Sequence, residues 1–265
     1  MTAPEIRISV LGSGTSAGVP TIGCGCAVCC SSDPHDQRLR PSILIRFQDP
    51  ESADRAVLVD TTPDFRYQAL RAELERLDAV LFTHGHADHI LGLDDIRAFN
   101  IKQHAAVPIY ASEATLATLR RTFAYIFEGT APEGSILPGV ELHPIDGPFE
   151  LFGAQVIPVP AMHGPLPVLG YRIGTIGYLT DFSGVGEESK KLLRGLDHLV
   201  LDALRYRPHS MHSTVDQSLA LVRELTPKQA WFTHICHDLS HEAANARLPE
   251  NVHLAYDGLS FQGTY

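Results

Sequence analysis

The residues whose types and spacing could do chemistry gather first at Thr83-His84-Gly85-His86-Ala87-Asp88-His89. Histidine fills 14 of 265 positions, so the pattern His84-x-His86-x-Asp88-His89 would arise by chance in on the order of one window in a hundred thousand. A lone His is usually a satisfied surface or core residue, but a cluster of this spacing is poorly explained that way. Directly after an apolar strand, alternate positions can point into one cavity, while Asp88 and His89 turn toward a second point beside it. Neutral imidazoles and a carboxylate suit zinc and other first-row divalent ions, and an Asp can bridge or complete a second site. Two such ions would polarise an ester carbonyl or phosphoryl oxygen and turn a bridging water into hydroxide near neutral pH.

A second group of ligand types is Cys24-Gly25-Cys26-Ala27-Val28-Cys29-Cys30, which holds four of the five cysteines. Such crowding is unlike the spread of a disulfide framework, and in a reducing compartment it favours a metal. Cys24-x-Cys26-x-x-Cys29 offers three thiolates, one short of the four ligands of a closed structural zinc site, so a fourth must come from elsewhere. Cys30 and Cys236 are extra to this spacing, and either could replace an assigned ligand.

These residues need platforms. Residues 6–11 alternate apolar and polar types and run into Gly12-Ser13-Gly14-Thr15-Ser16-Ala17-Gly18, a strand entering a flexible loop. Further strands are expected at 42–47, 56–60, 79–82, 107–111, 155–160, 168–173, 177–180, 198–202 and 230–233. Apolar spacing near 3.6 residues predicts helices at 64–76, 89–100, 112–125, 187–195, 213–225 and 241–246. The mixture suits an α/β fold of two sheets with helices outside them, and no repeat or linker divides residues 1–265 into more than one domain. Polar residues recur where strands stop: Asp60 after Val57-Leu58-Val59, His84 after Val80-Leu81-Phe82-Thr83, Asp181 after Tyr178-Leu179-Thr180, and His234 after Trp231-Phe232-Thr233. Strand ends are rigid and converge on one rim, so these residues are expected to share one site.

Hydrophobic residues at 44% and charged residues at 20% are ordinary for a globular protein. A net charge of -10 argues against a long nucleic-acid track, whose affinity needs clustered Lys and Arg. A small anionic substrate is compatible with it, because bound divalent cations can invert the local field. Met1 to Arg7 lacks a basic segment leading into an apolar core, and no run of about 18 apolar residues follows. The expectation is a cytoplasmic protein without a membrane partner. A homodimer is admitted, although no pattern in the sequence selects an oligomeric state.

Further along, Pro160-Ala161-Met162-His163-Gly164, Leu179-Thr180-Asp181 and Phe232-Thr233-His234 each place a ligand type just past an apolar strand. An HxHxDH motif followed by a distant His, an Asp and a last His resembles the metallo-β-lactamase superfamily, over roughly residues 6–258. The resemblance implies that superfamily's αβ/βα sandwich, two mixed β-sheets flanked by helices. Carried over by position, it implies His84, His86 and His163 on one metal, Asp88, His89 and His234 on a second, and Asp181 bridging. Leu58-Val59-Asp60-Thr61 is similar to the family's acidic turn, which gives Asp60 the task of orienting a ligand His through its other ring nitrogen; a strand-end turn cap is the plainer alternative.

Within the superfamily, the CxCxxC after the first glycine-rich loop and a His after the final ligand His resemble the accessory phosphodiesterases of the carbon-phosphorus lyase pathway, the PhnP group. That resemblance implies a structural Zn²⁺ on Cys24, Cys26, Cys29 and His237, besides two divalent ions (Zn²⁺ or Mn²⁺) at the His/Asp centre. Leu11 to Pro20 is also similar to the opening of the tRNA 3′-processing nucleases, whose long basic arm is not visible here. With the assigned ligands set aside, His209 and His212 remain in a loop placed like the one that bears the group's catalytic His. The match of the following Ser218-Leu219-Ala220-Leu221 favours His212 as the general acid for an alkoxide leaving group. Arg205 and Arg207 lie close by in sequence for an anionic phosphate, although exposed loop Arg is the blander reading. The implied function is a metal-dependent phosphodiesterase acting on a small or cyclic phosphodiester through a dinuclear-metal-activated hydroxide. Two others are carried: a lactone or carboxylic ester hydrolase, and a non-hydrolytic cofactor-biosynthesis protein of the pyrroloquinoline quinone type. Relatives of the last depart from the full ligand set, whereas this chain keeps every position.

Overall fold

The computed structural model describes residues 4–129 and 132–265. Its first six strands are Glu5–Gly12 (β1), Ser42–Gln48 (β2), Asp54–Val59 (β3), Ala79–Leu81 (β4), Val107–Ala111 (β5) and Val140–Pro144 (β6). Then come Phe149–Leu151 (β7), Ala154–His163 (β8), Leu166–Ile173 (β9), Ile176–Leu179 (β10), His198–Asp202 (β11), Gln229–Thr233 (β12), Val252–Leu254 (β13) and Ser260–Thr264 (β14). They make two seven-stranded sheets, ordered β14-β1-β2-β3-β4-β5-β6 and β13-β12-β11-β10-β9-β8-β7. Both are mixed in the same way. From β14 to β3 the pairing is antiparallel and from β3 to β6 parallel; from β7 to β10 it is antiparallel and from β10 to β13 parallel.

Side-chain alternation explains the layers. Ile6, Ile8 and Val10 of β1 and Ile43, Ile45 and Phe47 of β2 face Val156, Tyr171, Ile173, Tyr178 and Val200 of the other sheet in one buried core. The opposite faces are apolar too, because helices cover them, which makes the parallel strands nearly continuous apolar runs. Leu44, Leu58, Val80 and Phe82 pack with residues of Phe65–Arg71 (α1), Arg97–Gln103 (α3) and Glu113–Thr122 (α4). On the far side, Leu199, Leu201 and Phe232 pack with Val215–Leu225 (α7) and His241–Asn245 (α8). The remaining helices are Ala87–Ile90 (α2), Ala124–Phe127 (α5) and Glu187–Leu192 (α6). No helix among the described residues is long and apolar enough to cross a membrane.

Several expectations need correction. The helix expected at 64–76 ends at Arg71, with Glu73 in a left-handed conformation (φ 48°). The helix expected at 89–100 is divided into α2, a 3-10 turn at Leu93–Ile96, and α3. Gly92 marks the break, where a Cβ would lie 2.1 Å from the Thr62 carbonyl oxygen; the chain must pass so close that no side chain fits. Strands β6, β7, β13 and β14 were not anticipated. They are short or half exposed, so neither an apolar run nor a clean alternation marks them. β8 continues through Pro158 and Pro160 to His163, and beyond Val156 its side away from β9 carries no partner strand, which tolerates proline.

Candidate metal centre

The expected residues do end strands on one rim. Asp60 follows β3, Asp181 lies just past β10 and His234 follows β12, and all three are left-handed, with φ of 66°, 52° and 57°. That conformation costs a non-glycine residue of order 1–3 kcal/mol, and Asp and His are among the side chains that adopt it most readily. The turn swings each side chain off the strand and onto the rim. His163 is the last residue of β8, and His84 lies past the end of β4. Asp88 and His89 sit on the single turn of α2, which begins directly after His86, two residues before the helix start expected at His89.

Two clusters result. His84, His86 and His163 bring one ring nitrogen each to within 4.8 Å of one another, and Asp88, His89, Asp181 and His234 do the same with one ligand atom each. Asp181 stands between them. One of its oxygens lies 3.1 Å from Nε2 of His89, and the other 3.2 Å from Nε2 of His234 and 4.0 Å from Nε2 of His163. Asp88 approaches Nε2 of His89 at 3.4 Å and Nε2 of His234 at 3.8 Å.

The rear of the site fixes which nitrogens face inward. Buried Asp60 accepts hydrogen bonds from Nδ1 of His89 at 2.7 Å, and from the Thr83 amide and hydroxyl at 2.8 Å each. A hydroxyl has one proton, and Thr83 gives it to Asp60, so its oxygen accepts Nδ1–H of His84 at 3.0 Å. His163 donates Nδ1–H to the Met211 carbonyl at 2.7 Å. The inward Nε2 atoms of His84, His89 and His234 are buried with no hydrogen-bond partner. Buried polar atoms are seldom orphaned in this way, and lone pairs converging on two points suit cations.

Electrostatics agree. Burial holds His84 neutral, well below the usual imidazole range, helped by neighbouring His89. Burial alone would do the same to His89 and His234. Instead Asp181, with Asp60 and Asp88, pushes His89 well above that range, and Asp181, Asp88 and Asp202 push His234 up to about 9. Burial likewise opposes ionisation of Asp181, yet His234 and His89 hold it well below the ordinary carboxylate range. A protonated imidazole at such a place answers a demand for positive charge that divalent ions would meet. The residues fit a pair of them.

Beside the clusters, the His212 ring stacks on that of His234 at 4.5 Å and 18°, and meets His163 edge-on at 4.6 Å. Its Nδ1 lies 2.9 Å from a carboxylate oxygen of buried Asp202 and 3.8 Å from Asp181. His209 is 5.0 Å away, ring to ring, with Nδ1 taken by the Met211 amide. Arg207 pairs with Asp238 at 2.7 Å, and Arg205 bonds to carbonyls of its own loop, so both are engaged by protein groups.

The cysteine loop closes on one imidazole. Nδ1 of His237 lies 3.3, 3.8 and 3.4 Å from the sulfurs of Cys24, Cys26 and Cys29. Tetrahedral zinc, with bonds of about 2.3 Å to sulfur and 2.0 Å to nitrogen, places such atoms about 3.5 Å apart. The sulfurs of Cys26 and Cys29 accept amide hydrogens from Cys29 and Thr21. Burial pushes the Cys29 thiol up to about 11, a cost that a bound cation would reverse. Cys30 and Cys236 stand outside this set, the first exposed and the second buried.

Three supporting residues escaped the sequence reading. Asp202 ends β11 as the other site residues end their strands, a signal that was present and unused. Thr83 and Thr180, which donates to Asp181 at 2.8 Å, carry no such signal, since threonine is common in strands.

Residues 55–235 match the family described as the Beta-lactamase superfamily domain. A crystal structure of a diphosphatase from the PhnP family superposes with a TM-score of 0.89 at 51% identity, over 98% of this chain and 97% of that one. Zinc-bound PqqB from Methylobacterium extorquens shares the fold, with a TM-score of 0.74 at 20% identity over 96% of this chain and 99% of that one. An octanoyltransferase of Porphyromonas gingivalis is 39% identical over 96% of this chain, which spans only about half (51%) of that relative's length. The matched family covers more than half of the chain, and together with the two mixed sheets and the His/Asp clusters on their shared rim it shows that the chain belongs to the metallo-β-lactamase superfamily.

Proposed function

We propose that the chain hydrolyses a small or cyclic phosphodiester at a dinuclear centre. In this reading His84, His86 and His163 hold one divalent ion, Zn²⁺ or Mn²⁺; Asp88, His89 and His234 hold a second; and Asp181 touches both. Asp60 works through His89, fixing its ring, and Cys24, Cys26, Cys29 and His237 hold a structural Zn²⁺. The two ions supply the Lewis acidity that lowers the pKa of water and a positive field for developing charge.

The observation that carries the reading is His212. Asp202 accepts its Nδ1–H at 2.9 Å, which fixes the tautomer and leaves Nε2 as the atom that hands a proton to a departing alkoxide. A proton donor matters for an alkoxide and little for a leaving group that departs as a stable anion.

The diphosphatase neighbour at 51% identity favours a second reading, cleavage of a diphosphate linkage at the same centre, where phosphate leaves with little need of protonation. Phosphate release from alkyl and cyclic phosphodiesters, set against a dinucleotide-type diphosphate, separates the two. A lactone and an octanoyl ester in the same panel test the carboxylic ester reading. Turnover of only the esters would overturn the phosphodiester assignment, and no turnover of any would favour the non-hydrolytic one.

A further inference from the structure

One short loop carries a residue of each metal cluster. His234 and His237 are three residues apart, so their Cα atoms are separated by at most roughly 11 Å of chain. The peptides between them are held at every step. The Ile235 amide donates to the Ser13 carbonyl at 2.9 Å, and the Ile235 carbonyl accepts from Thr15 at 3.1 Å. The Cys236 amide donates to Leu204 at 3.1 Å. Arg38, fully buried and paired with Asp36 at 2.8 Å, donates to the carbonyls of Cys236 and Leu239.

The imidazole of His234 has no such support. Neither of its ring nitrogens has a hydrogen-bond partner, whereas Nδ1 of His84, His89 and His163 is bonded to Thr83, Asp60 and Met211. Apart from the His212 ring stacked on it at 4.5 Å, its position depends on its own left-handed backbone, at φ 57°, and on the pinned loop that follows. At the far end of that loop, His237 reaches the three cysteines that lie more than 200 residues earlier in the chain.

We propose that His237 is a positioning residue for the hydrolytic centre: by anchoring the loop to the Cys24–Cys26–Cys29 thiolates, a zinc there tightens the affinity of the His234-containing cluster for its own cation. The proposal rests on the two-site reading above. It predicts an asymmetry, because the His84–His86–His163 cluster receives nothing from this loop. By linkage the coupling is reciprocal, so filling either site strengthens the other by the same factor.

Manganese is the probe, since it prefers oxygen and nitrogen ligands to thiolates. Protein retaining its cysteine-bound zinc, with the His/Asp centre stripped, is titrated with Mn²⁺ and followed by electron paramagnetic resonance. His237→Ala should bind one Mn²⁺ as the parent does and the second about 10 to 100 times more weakly, the usual effect of losing support behind a ligand. His237→Cys, which offers a four-thiolate site, should restore the second ion. Equal affinities in parent and His237→Ala, or equal weakening of both ions, would overturn the proposal. A second arm needs no variant: in the unmodified protein, loss of zinc to a chelator should slow when Mn²⁺ fills the centre, and a rate indifferent to Mn²⁺ also overturns it. Absence of zinc in the purified protein would instead refute the two-site reading on which the coupling stands.

Discussion

The His/Asp centre and the Cys/His cluster are two candidate cation sites built in opposite ways. The cluster takes three of its four residues from a six-residue stretch of one loop and leaves Cys24, Cys26 and His237 partly exposed. The centre gathers His84, His86, Asp88, His89, His163, Asp181 and His234 from the rims of both sheets, with five of the seven buried. Behind them stand Asp60, Thr83 and the Met211 carbonyl, each fixing a ring. A local loop supplies most of such a site, and the fold adds one residue, His237. A site meant for chemistry needs inward lone pairs of fixed direction, and rigid strand ends deliver them.

The largest effect that tests this contrast is expected at Asp181. Asp181→Ala should abolish turnover, because a carboxylate touching both clusters holds their spacing and balances their charge. Metal content and kcat measured on the same sample check it, and two bound ions with a near-normal rate would remove Asp181 from the bridging position.

Next comes His212, the proposed proton donor. His212→Ala should lose about 10² to 10⁴ in rate on a substrate with an alkoxide leaving group, and far less on a nitrophenyl ester. Rate losses of the same size on both substrates would end the proton-donor assignment.

Asp60 sharpens the difference between touching a metal and orienting what touches it. Asp60→Asn keeps the size of the side chain but cannot accept all three hydrogen bonds, so metal affinity should fall about 10- to 100-fold. Equilibrium dialysis reads that fall, and an unchanged dissociation constant would argue for a simple turn cap.

At the cluster, Cys24→Ser should remove one zinc and lower Tm, because binding free energy at such a site is also folding free energy; retention of all the zinc would break the two-site contrast. Smallest of all, Cys30→Ser should leave zinc content unchanged and stability within about 0.5 kcal/mol. A lost zinc in that variant would move Cys30 into the ligand set.

How much of this was legible depended on distance along the chain. The spacing of His84, His86, Asp88 and His89, and of Cys24, Cys26 and Cys29, is local and survives without a fold. The strand-end positions of Asp60, Asp181 and His234 could be read because an apolar run stops at each of them. Asp202 obeyed the same rule and went unread, since its role depends on His212, ten residues later, folding back over it. The strands β6, β7, β13 and β14 were missed because short or half-exposed segments carry too few apolar positions to show a period.

By itself, then, the sequence determined the ligand types, their local groupings and the order in which strands present them, because these are properties of neighbouring residues. Only the tertiary structure decided that His163 meets His84 and His86, that Asp181 lies between two clusters, and that Asp202 rather than solvent receives Nδ1–H of His212. The physical reason is that such meetings are set by how two sheets pack face to face. A shared apolar core of Ile, Val and Tyr side chains fixes that packing, and no spacing between polar residues encodes it.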